Sequence, residues 1–368
     1  MAEPLKNIYT HEYITNLANK IRVHYPLFEE EIFLSSLFCD IWSELELKAR
    51  MRYISVQLHS FLPLSYQEQL EILKPVSKDF FSFEAMFFQD FVEVFGLDDF
   101  ENSMEALAVF TVGSSSEFAV RQFIIKYEEQ TMMQMKIWAK SDDEHLRRLS
   151  SEGCRPRLPW AVALPKFKID PSKVLEIIEL LKNDPSIYVR KSVANNLNDI
   201  SKDHPHIVKE FVKNNQGVSK ELDWICKHAS RTLLKKGDSE ILKLFNLQRL
   251  DHVNIENFIY DKMVQIGENF HFSFELTSKE IIGNIRLEYV IEYLKSNKSH
   301  TKKVFMIAES YLGIKSKTFI KKQSFKDMTT RKHYSGEHFI TILINGEERA
   351  RGVFVVNNCV SCTTTNIL

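Results

Sequence analysis

Arg148, Glu152, Arg155, Arg157 and Trp160 fall within thirteen residues, in and just before the run Ser150-Ser-Glu-Gly-Cys-Arg-Pro-Arg-Leu-Pro-Trp160. A carboxylate among three guanidiniums is unfavourable where phosphate alone must be held. Glu152 therefore points to another task, and stabilising a cation formed on DNA is one. The plain alternative is an i,i+4 ion pair with Arg148 on an exposed helix, worth about 0.3–0.5 kcal/mol. Arg155 and Arg157 flank Pro156, which spaces two guanidiniums along a rigid turn suited to successive phosphates. Trp160 follows Pro159 outside regular helix, where its face suits a cationic base or the adjacent sugar by cation–π attraction. Core packing is the alternative for that indole.

These residues need a helix and a sharp stop. A helix from about Glu144 puts Arg148, Glu152 and Arg155 at i, i+4 and i+7 on one stripe, and Pro156 and Pro159 end it. The same run opens an approximate repeat. His145-Leu-Arg-Arg-Leu-Ser-Ser-Glu152 aligns with Tyr188-Val-Arg-Lys-Ser-Val-Ala-Asn195 and with Trp224-Ile-Cys-Lys-His-Ala-Ser-Arg231, at offsets of 43 and 36. Asp142-Asp143 and Asn183-Asp184-Pro185 supply turn and cap signals before the first two copies, and the spacing fits HEAT-like helix pairs stacked into a curved solenoid. Superposition sets Arg148, Lys191 and Lys227 at one level and Glu152, Asn195 and Arg231 at the next. The basic members, with Arg121, are candidates for a phosphate backbone.

Before the repeats, from Glu12 to about Lys140, apolar residues recur at helical intervals, as in Phe87-Phe88, Phe91-Val92 and Phe95. Breaks at Phe61-Leu-Pro-Leu-Ser65, Lys74-Pro75 and Gly96-Leu-Asp-Asp99 divide that region into several helices. After Asn254 the period becomes two, as in Phe270-His-Phe-Ser-Phe-Glu-Leu276 and His338-Phe-Ile-Thr-Ile-Leu-Ile344, and Asn345-Gly346 marks a hairpin. About seven short strands predict an immunoglobulin-like β-sandwich, with lysines in its loops. The expected organisation is a HEAT-like-repeat α-solenoid over residues 1–253, the sandwich over 254–356, and a disordered tail over 357–368.

Charge is unevenly spread over a chain of 368 residues with a formal net charge of −1: residues 1–120 carry −11, 121–250 carry +7 and 251–368 carry +3. A basic middle permits a groove that attracts a polyanion, without the overall charge of a histone-like binder. No long apolar run or charged-then-apolar leader is visible, so a cytoplasmic protein without a membrane span is expected. Five scattered cysteines read as reduced thiols, Cys39, Cys154 and Cys226 among them in helices. The lone Cys359-x-x-Cys362 lacks a second pair, and no histidine spacing fits a ligand set, so no metal is expected.

The chain resembles the AlkC-type DNA glycosylases, within the HEAT-like-repeat family of alkylpurine glycosylases. The resemblance is carried by Ser114-Ser-Ser-Glu-Phe-Ala-Val-Arg-Gln-Phe123, the Ser150–Trp160 run, Val193-Ala-Asn-Asn-Leu-Asn-Asp199 and Trp224-Ile-Cys-Lys-His-Ala-Ser-Arg-Thr-Leu233. The β-rich segment, with Phe325-Lys-Asp-Met-Thr-Thr-Arg-Lys-His-Tyr334, looks like the immunoglobulin-like domain of one branch. The resemblance implies excision of cationic alkylated bases, 3-methyladenine and in this branch 3-methylcytosine, from double-stranded DNA, by a monomer with no cofactor, metal or lyase lysine. It carries catalytic and lesion-contacting roles onto Glu117, Glu152, Asp199 and Trp160. Read alone, Glu117 is more readily a first-turn charge on a helix, and Asp199 a surface residue near a helix C-terminus, a position unfavourable to the dipole. Trp224, at a repeat position usually buried, is a second lesion-contact candidate. The rival reading is a non-catalytic HEAT-repeat scaffold that binds DNA or protein, and clustered carboxylates in a cationic groove would argue against it. An adhesion module is disfavoured by the lack of a leader and of cysteine pairing.

Overall fold

Polar side chains set several helix starts in the first 229 residues. Thr10, Ser65, Asp99, Asp143 and Ser186 each accept a hydrogen bond from a first-turn N–H, and Ser65 with Glu68 closes a reciprocal capping box. The computed structural model describes residues 4–328 and 331–358. Its helices run α1 (His11–His24), α2 (Glu30–Leu37), α3 (Asp40–Glu44), α4 (Leu47–Phe61), α5 (Tyr66–Ser77), α6 (Phe87–Phe95), α7 (Phe100–Phe110), α8 (Val120–Lys126), α9 (Glu128–Trp138), α10 (Glu144–Gly153), α11 (Pro165–Ile169), α12 (Ser172–Leu181), α13 (Ile187–Ile200), α14 (Pro205–Asn215), α15 (Lys220–Ala229), α16 (Arg231–Lys235) and α17 (Ser239–Leu244).

Two of the expected breaks fall as read: α4 ends at Phe61, and Gly96 and Asp99 separate α6 from α7. Pro75 does not break its helix. It sits two residues before the end of α5, where only one ladder hydrogen bond is lost. Ser186 caps α13, and Asp184 two residues earlier shapes the turn before it, its carboxylate accepting from the Ser186 N–H at 2.8 Å and from Arg147 Nε at 2.7 Å.

The three copies of the repeat correspond to α10, α13 and α15, and α10 packs on α13 as α13 packs on α15. The third copy is cut short. α15 ends at Ala229, so Arg231 opens α16 instead of continuing the helix that carries Lys227. Cys39 lies at the N-cap of α3 and is exposed, and Cys154 is the buried C-cap of α10, so neither is inside a helix.

The chain parts into two compact units between Ala229 and Ser230. In the second, β1 (Val253–Tyr260), β3 (Asn269–Ser278) and β6 (Ser316–Ser324) form one sheet in the order β1-β3-β6. The other sheet holds β2 (Met263–Gln265), β8 (Glu347–Asn357), β7 (Gly336–Ile344), β4 (Gly283–Leu294) and β5 (His300–Leu312), in that order. The described residues thus hold eight strands, where about seven were expected. Phe270, Phe272, Phe274 and Leu276 of β3 meet Ile285, Leu287, Tyr289 and Ile291 of β4 in the core, as alternation requires. Asn345 and Gly346 both take positive φ, 48° and 82°, the mirror-image turn that matches strand twist in a two-residue hairpin.

α16 and α17 belong with this unit. The Asn345 amide donates to Gln248 O at 2.6 Å, and a Cβ on Gly346 would stand 2.8 Å from Leu242 Cδ1. The unit therefore begins earlier than the change of pattern at 253/254. Asn357 is the last residue of β8, not the start of a tail, and Cys359, Cys362 and the rest of 359–368 lie outside the described residues. Lys302, Lys303, Lys317, Lys321 and Lys322 sit on β5 and β6 rather than in loops. No helix among the described residues is long and apolar enough to cross a membrane.

Candidate active site

α10 ends at Gly153, and its last two turns carry Arg148 and Glu152 on one side, with Arg148 Nη2 3.7 Å from Glu152 Oε1. Arg148 Nη1 also donates to Ser115 Oγ at 2.6 Å and to Glu117 Oε2, both in the turns before α8. Past the helix end the chain folds back, and the Arg155 N–H reaches Glu152 O at 3.3 Å. That return brings the Arg155 guanidinium between two carboxylates: Nη1 donates to Glu152 Oε1 at 2.5 Å and Nε to Asp199 Oδ2 at 2.9 Å. Lys202 Nζ completes the series on Asp199 Oδ1 at 2.8 Å. Glu117, Arg148, Glu152, Arg155, Asp199 and Lys202 thus alternate in sign along one line.

Asp199 stands opposite Arg155 because α13 is registered on α10. The buried Asn196 amide, one turn before Asp199, donates to Ser151 O at 2.8 Å. Glu152 is 4 % exposed and Asp199 1 %. Carboxylates taken so far from water need charged partners, and the two arginines supply them. Burial acts to lower the Arg155 pKa, but Glu152 and Asp199 outweigh it and the net shift is upward. Arg148 shows the same balance against Glu117 and Glu152.

Arg121 is corrected from a phosphate contact to a buried clasp. It is fully buried, with Nε on Val162 O at 2.6 Å and Nη1 on Gly153 O and Arg155 O at 2.9 and 2.8 Å. Burial pulls its pKa down to about 10. The clasp closes the loop 154–162, which carries Arg155 and Trp160. Trp160 takes a left-handed φ of 65°, rare for a bulky residue, and its carbonyl accepts from Lys48 Nζ. Its indole is 63 % exposed, which disposes of the core alternative, and meets Phe83 edge to face with ring centres 6.1 Å apart.

Phe83 also lines a cleft of about 300 Å³, together with Phe118, Glu117, Arg148, His145 and Tyr188. The Arg148 guanidinium lies over the Tyr188 ring at 5.1 Å. Glu117 and Arg148 line this cleft, whereas Glu152 and Asp199 do not.

The structure therefore brings together Glu117, Glu152, Asp199, Arg148 and Arg155, but it turns the two arginines toward carboxylates rather than phosphate. Arg157 reaches the surface with its guanidinium forked onto Asp203. Lys191 is exposed on α13. Trp224 is half-buried on α15, stacked on His228 at 4.9 Å, and His228 Nε2 lies 3.2 Å from Asn195 Oδ1. That aromatic pair is not part of the carboxylate series. Sequence reasoning did not single out Ser115, Tyr188, Asn196 and Lys202, which the structure adds to this cluster. Lys202 at i+3 from Asp199 was the one visible signal.

A family model described as "DNA alkylation repair enzyme" matches residues 107–235, and one described as "Uncharacterised protein YhaZ, C-terminal Ig-like domain" matches residues 254–358. The chain is 45% identical over 345 residues to Uncharacterized protein YhaZ of Bacillus subtilis (strain 168), covering 93% of this chain and 96% of that protein. It is also similar to the Pseudomonas fluorescens alkylpurine DNA glycosylase AlkC bound to DNA containing an abasic site analog. That match has a TM-score of 0.92 and 36% identity, and covers 96% of this chain and 100% of the other.

Proposed function

The chain belongs to the AlkC-type DNA alkylation repair enzymes with a C-terminal immunoglobulin-like domain, and from that premise we propose that it is a DNA glycosylase for cationic alkylated bases. Its substrates are 3-methyladenine and 3-methylcytosine in double-stranded DNA, and its reaction is monofunctional hydrolysis of the N-glycosidic bond.

An N3-alkylated base already carries positive charge, so the C1′–N bond breaks with its electron pair leaving on the base, which becomes neutral. The sugar is left as an oxocarbenium ion. Water adds to C1′ and releases a proton. The protein's part is to stabilise the sugar cation and orient the water, which carboxylates do. Glu152 takes the first role, with Glu117 and Asp199 on either side of it. Trp160 offers its exposed face to the lesion or its sugar, and Trp224 offers its ring further along the row of helices. Lys191, Lys227, Arg157 and Arg231 are assigned to the DNA backbone, so Lys191→Ala should reduce the slope of log K against log salt by about 0.9.

The observation that carries the reading is the convergence of Glu117, Glu152 and Asp199 on two arginines, one of them on the same loop as an exposed tryptophan held in a left-handed conformation. A scaffold has no use for three carboxylates gathered in this way.

The test is release of free base from methylated duplex DNA by the intact chain and by Glu152→Gln, with folding followed by circular dichroism. We expect 3-methyladenine to be released by the intact chain and its release to fall at least about a hundredfold in the folded variant. No release from any methylated substrate would return the chain to a scaffold role, and equal release by both proteins would move the chemistry off Glu152.

A further inference from the structure

Glu152, the carboxylate assigned to the sugar cation, is shielded in the free protein. It is 4 % exposed and absent from the cleft wall, and the guanidinium that lines the cleft in its place is Arg148. Arg148 is held as a bound cation would be. Glu117 takes Nη1, Glu152 stands 3.7 Å from Nη2, and the face of Tyr188 lies 5.1 Å away. Two carboxylates and an aromatic face form a cation site, and the planar, delocalised guanidinium resembles a cationic base in shape and charge.

We propose that Arg148 is a built-in competitor, a cation that keeps the place a cationic base takes and that only a cation displaces. The proposal rests on the glycosylase reading. A ligand that moves Arg148 takes the guanidinium from the partly buried Glu117 and leaves Glu152 with Arg155 alone, and desolvated carboxylates that lose counter-charge are costly. An incoming cation replaces what it removes, while a neutral base offers nothing in return. Arg148 therefore stays in place against a neutral base and yields to a charged one, and its departure exposes Glu152 to the sugar. Selection by charge then needs no enclosing pocket for the whole base.

The test is binding of two duplexes that differ only at one base, one with 3-methylcytosine on a 2′-fluorinated sugar, a cationic base that resists excision, and one with the neutral 3-methyluracil on the same sugar. Fluorescence anisotropy gives the ratio of their dissociation constants for the intact chain and for Arg148→Gln, Arg148→Lys and Arg148→Leu. Phosphate contacts cancel in the ratio. Removing the competing cation should raise the preference for the charged duplex about tenfold or more in Arg148→Gln. Arg148→Lys, which keeps the charge, should hold the intact ratio, and Arg148→Leu should shift it in the same direction as Arg148→Gln.

An unchanged or reduced preference in Arg148→Gln overturns the proposal. A fall of about 0.9 in the salt slope for that variant also overturns it, because it marks Arg148 as a phosphate contact. If Arg148→Gln does not fold, Arg148→Leu decides, and an unshifted ratio there counts against the proposal. Base release is read in the same preparations. The expected ratios without release of any base by the intact chain would sink the glycosylase reading and leave the cation site standing.

Discussion

Arg155 has the most buried of the site's guanidiniums that face carboxylates, and the energetics of the cluster turn on it. It alone touches both Glu152 and Asp199, at 2.5 and 2.9 Å, and all three are nearly free of solvent. Removing the shared partner leaves the buried Asp199 with Lys202 alone and the buried Glu152 with the more distant Arg148. Arg155→Met should therefore cost about 3–5 kcal/mol in urea unfolding, and more than Glu152→Gln, which leaves Arg155 paired with Asp199. Equal costs would mean that water reaches the pair freely. Cys154, next in the chain, gives a test by pH. Burial pushes its thiol up to about 12 from an ordinary 9.0. In the unfolded chain the thiol ionises near 9, in the folded one it stays protonated, and stability should fall as pH rises between those values. Urea midpoints at pH 8 and 10.5 should separate more in the intact chain than in Cys154→Ala. The same loss in both would show that other groups account for it.

At the scale of elements, α10 ends where it must for Glu152 and Arg155 to meet, and Gly153 makes that end possible. Helix propensity alone favours alanine there by about 1 kcal/mol. A Cβ at that position would stand 2.7 Å from Val120 Cγ1 and 3.0 Å from Met135 Cε, with α8 and α9 already packed against the turn. Gly153→Ala should thus lose about 1–3 kcal/mol in spite of the propensity gain and should lower base release with it, since Arg121 holds Gly153 O and Arg155 O in one grip. A more stable Gly153→Ala protein would refute the packing argument.

Much at this scale was legible from local rules. Pro156 and Pro159 announced the helix stop, alternation from Phe270 to Leu276 announced a strand, and Asn345-Gly346 announced its hairpin. What was not legible depends on partners distant in the chain. Arg121 reads like any basic residue on a helix until carbonyls 32 to 41 positions away enclose it. Arg148 and Arg155 read as phosphate ligands because nothing local says that carboxylates 31 and 44 positions away will claim them. Composition locates charge, but only the packing of α10 on α13 decides what the charge faces.

Across the whole molecule, the two units are built on different chemistry, and acid should tell them apart. The first unit contains all four tryptophans, so indole fluorescence reports on it alone. The second contains His338, which is fully buried, with Nε2 3.0 Å from Tyr334 O and Nδ1 accepting from the Leu294 N–H at 3.4 Å. A carbonyl only accepts, so Nε2 carries the proton and Nδ1 does not: the ring is held neutral by its two partners. Burial lowers the His338 pKa, and burial likewise lowers that of His333 nearby. The sign follows from proton counting. Below the ordinary histidine value of about 6.5 the unfolded chain takes up protons that the folded sandwich refuses. Stability contributed by the neutral rings is complete above that pH and is lost as pH falls toward the lowered values. Hydrogen–deuterium exchange of peptides from β4 and β7, corrected for intrinsic rates, should therefore show weaker protection at pH 5.5 than at 7.5, and His338→Met should narrow the difference. Indole fluorescence followed over the same range shows whether the first unit shares that response. Equal protection of β4 and β7 at both values would mean that the sandwich admits the imidazolium, and the neutral-ring account of His338 would be abandoned.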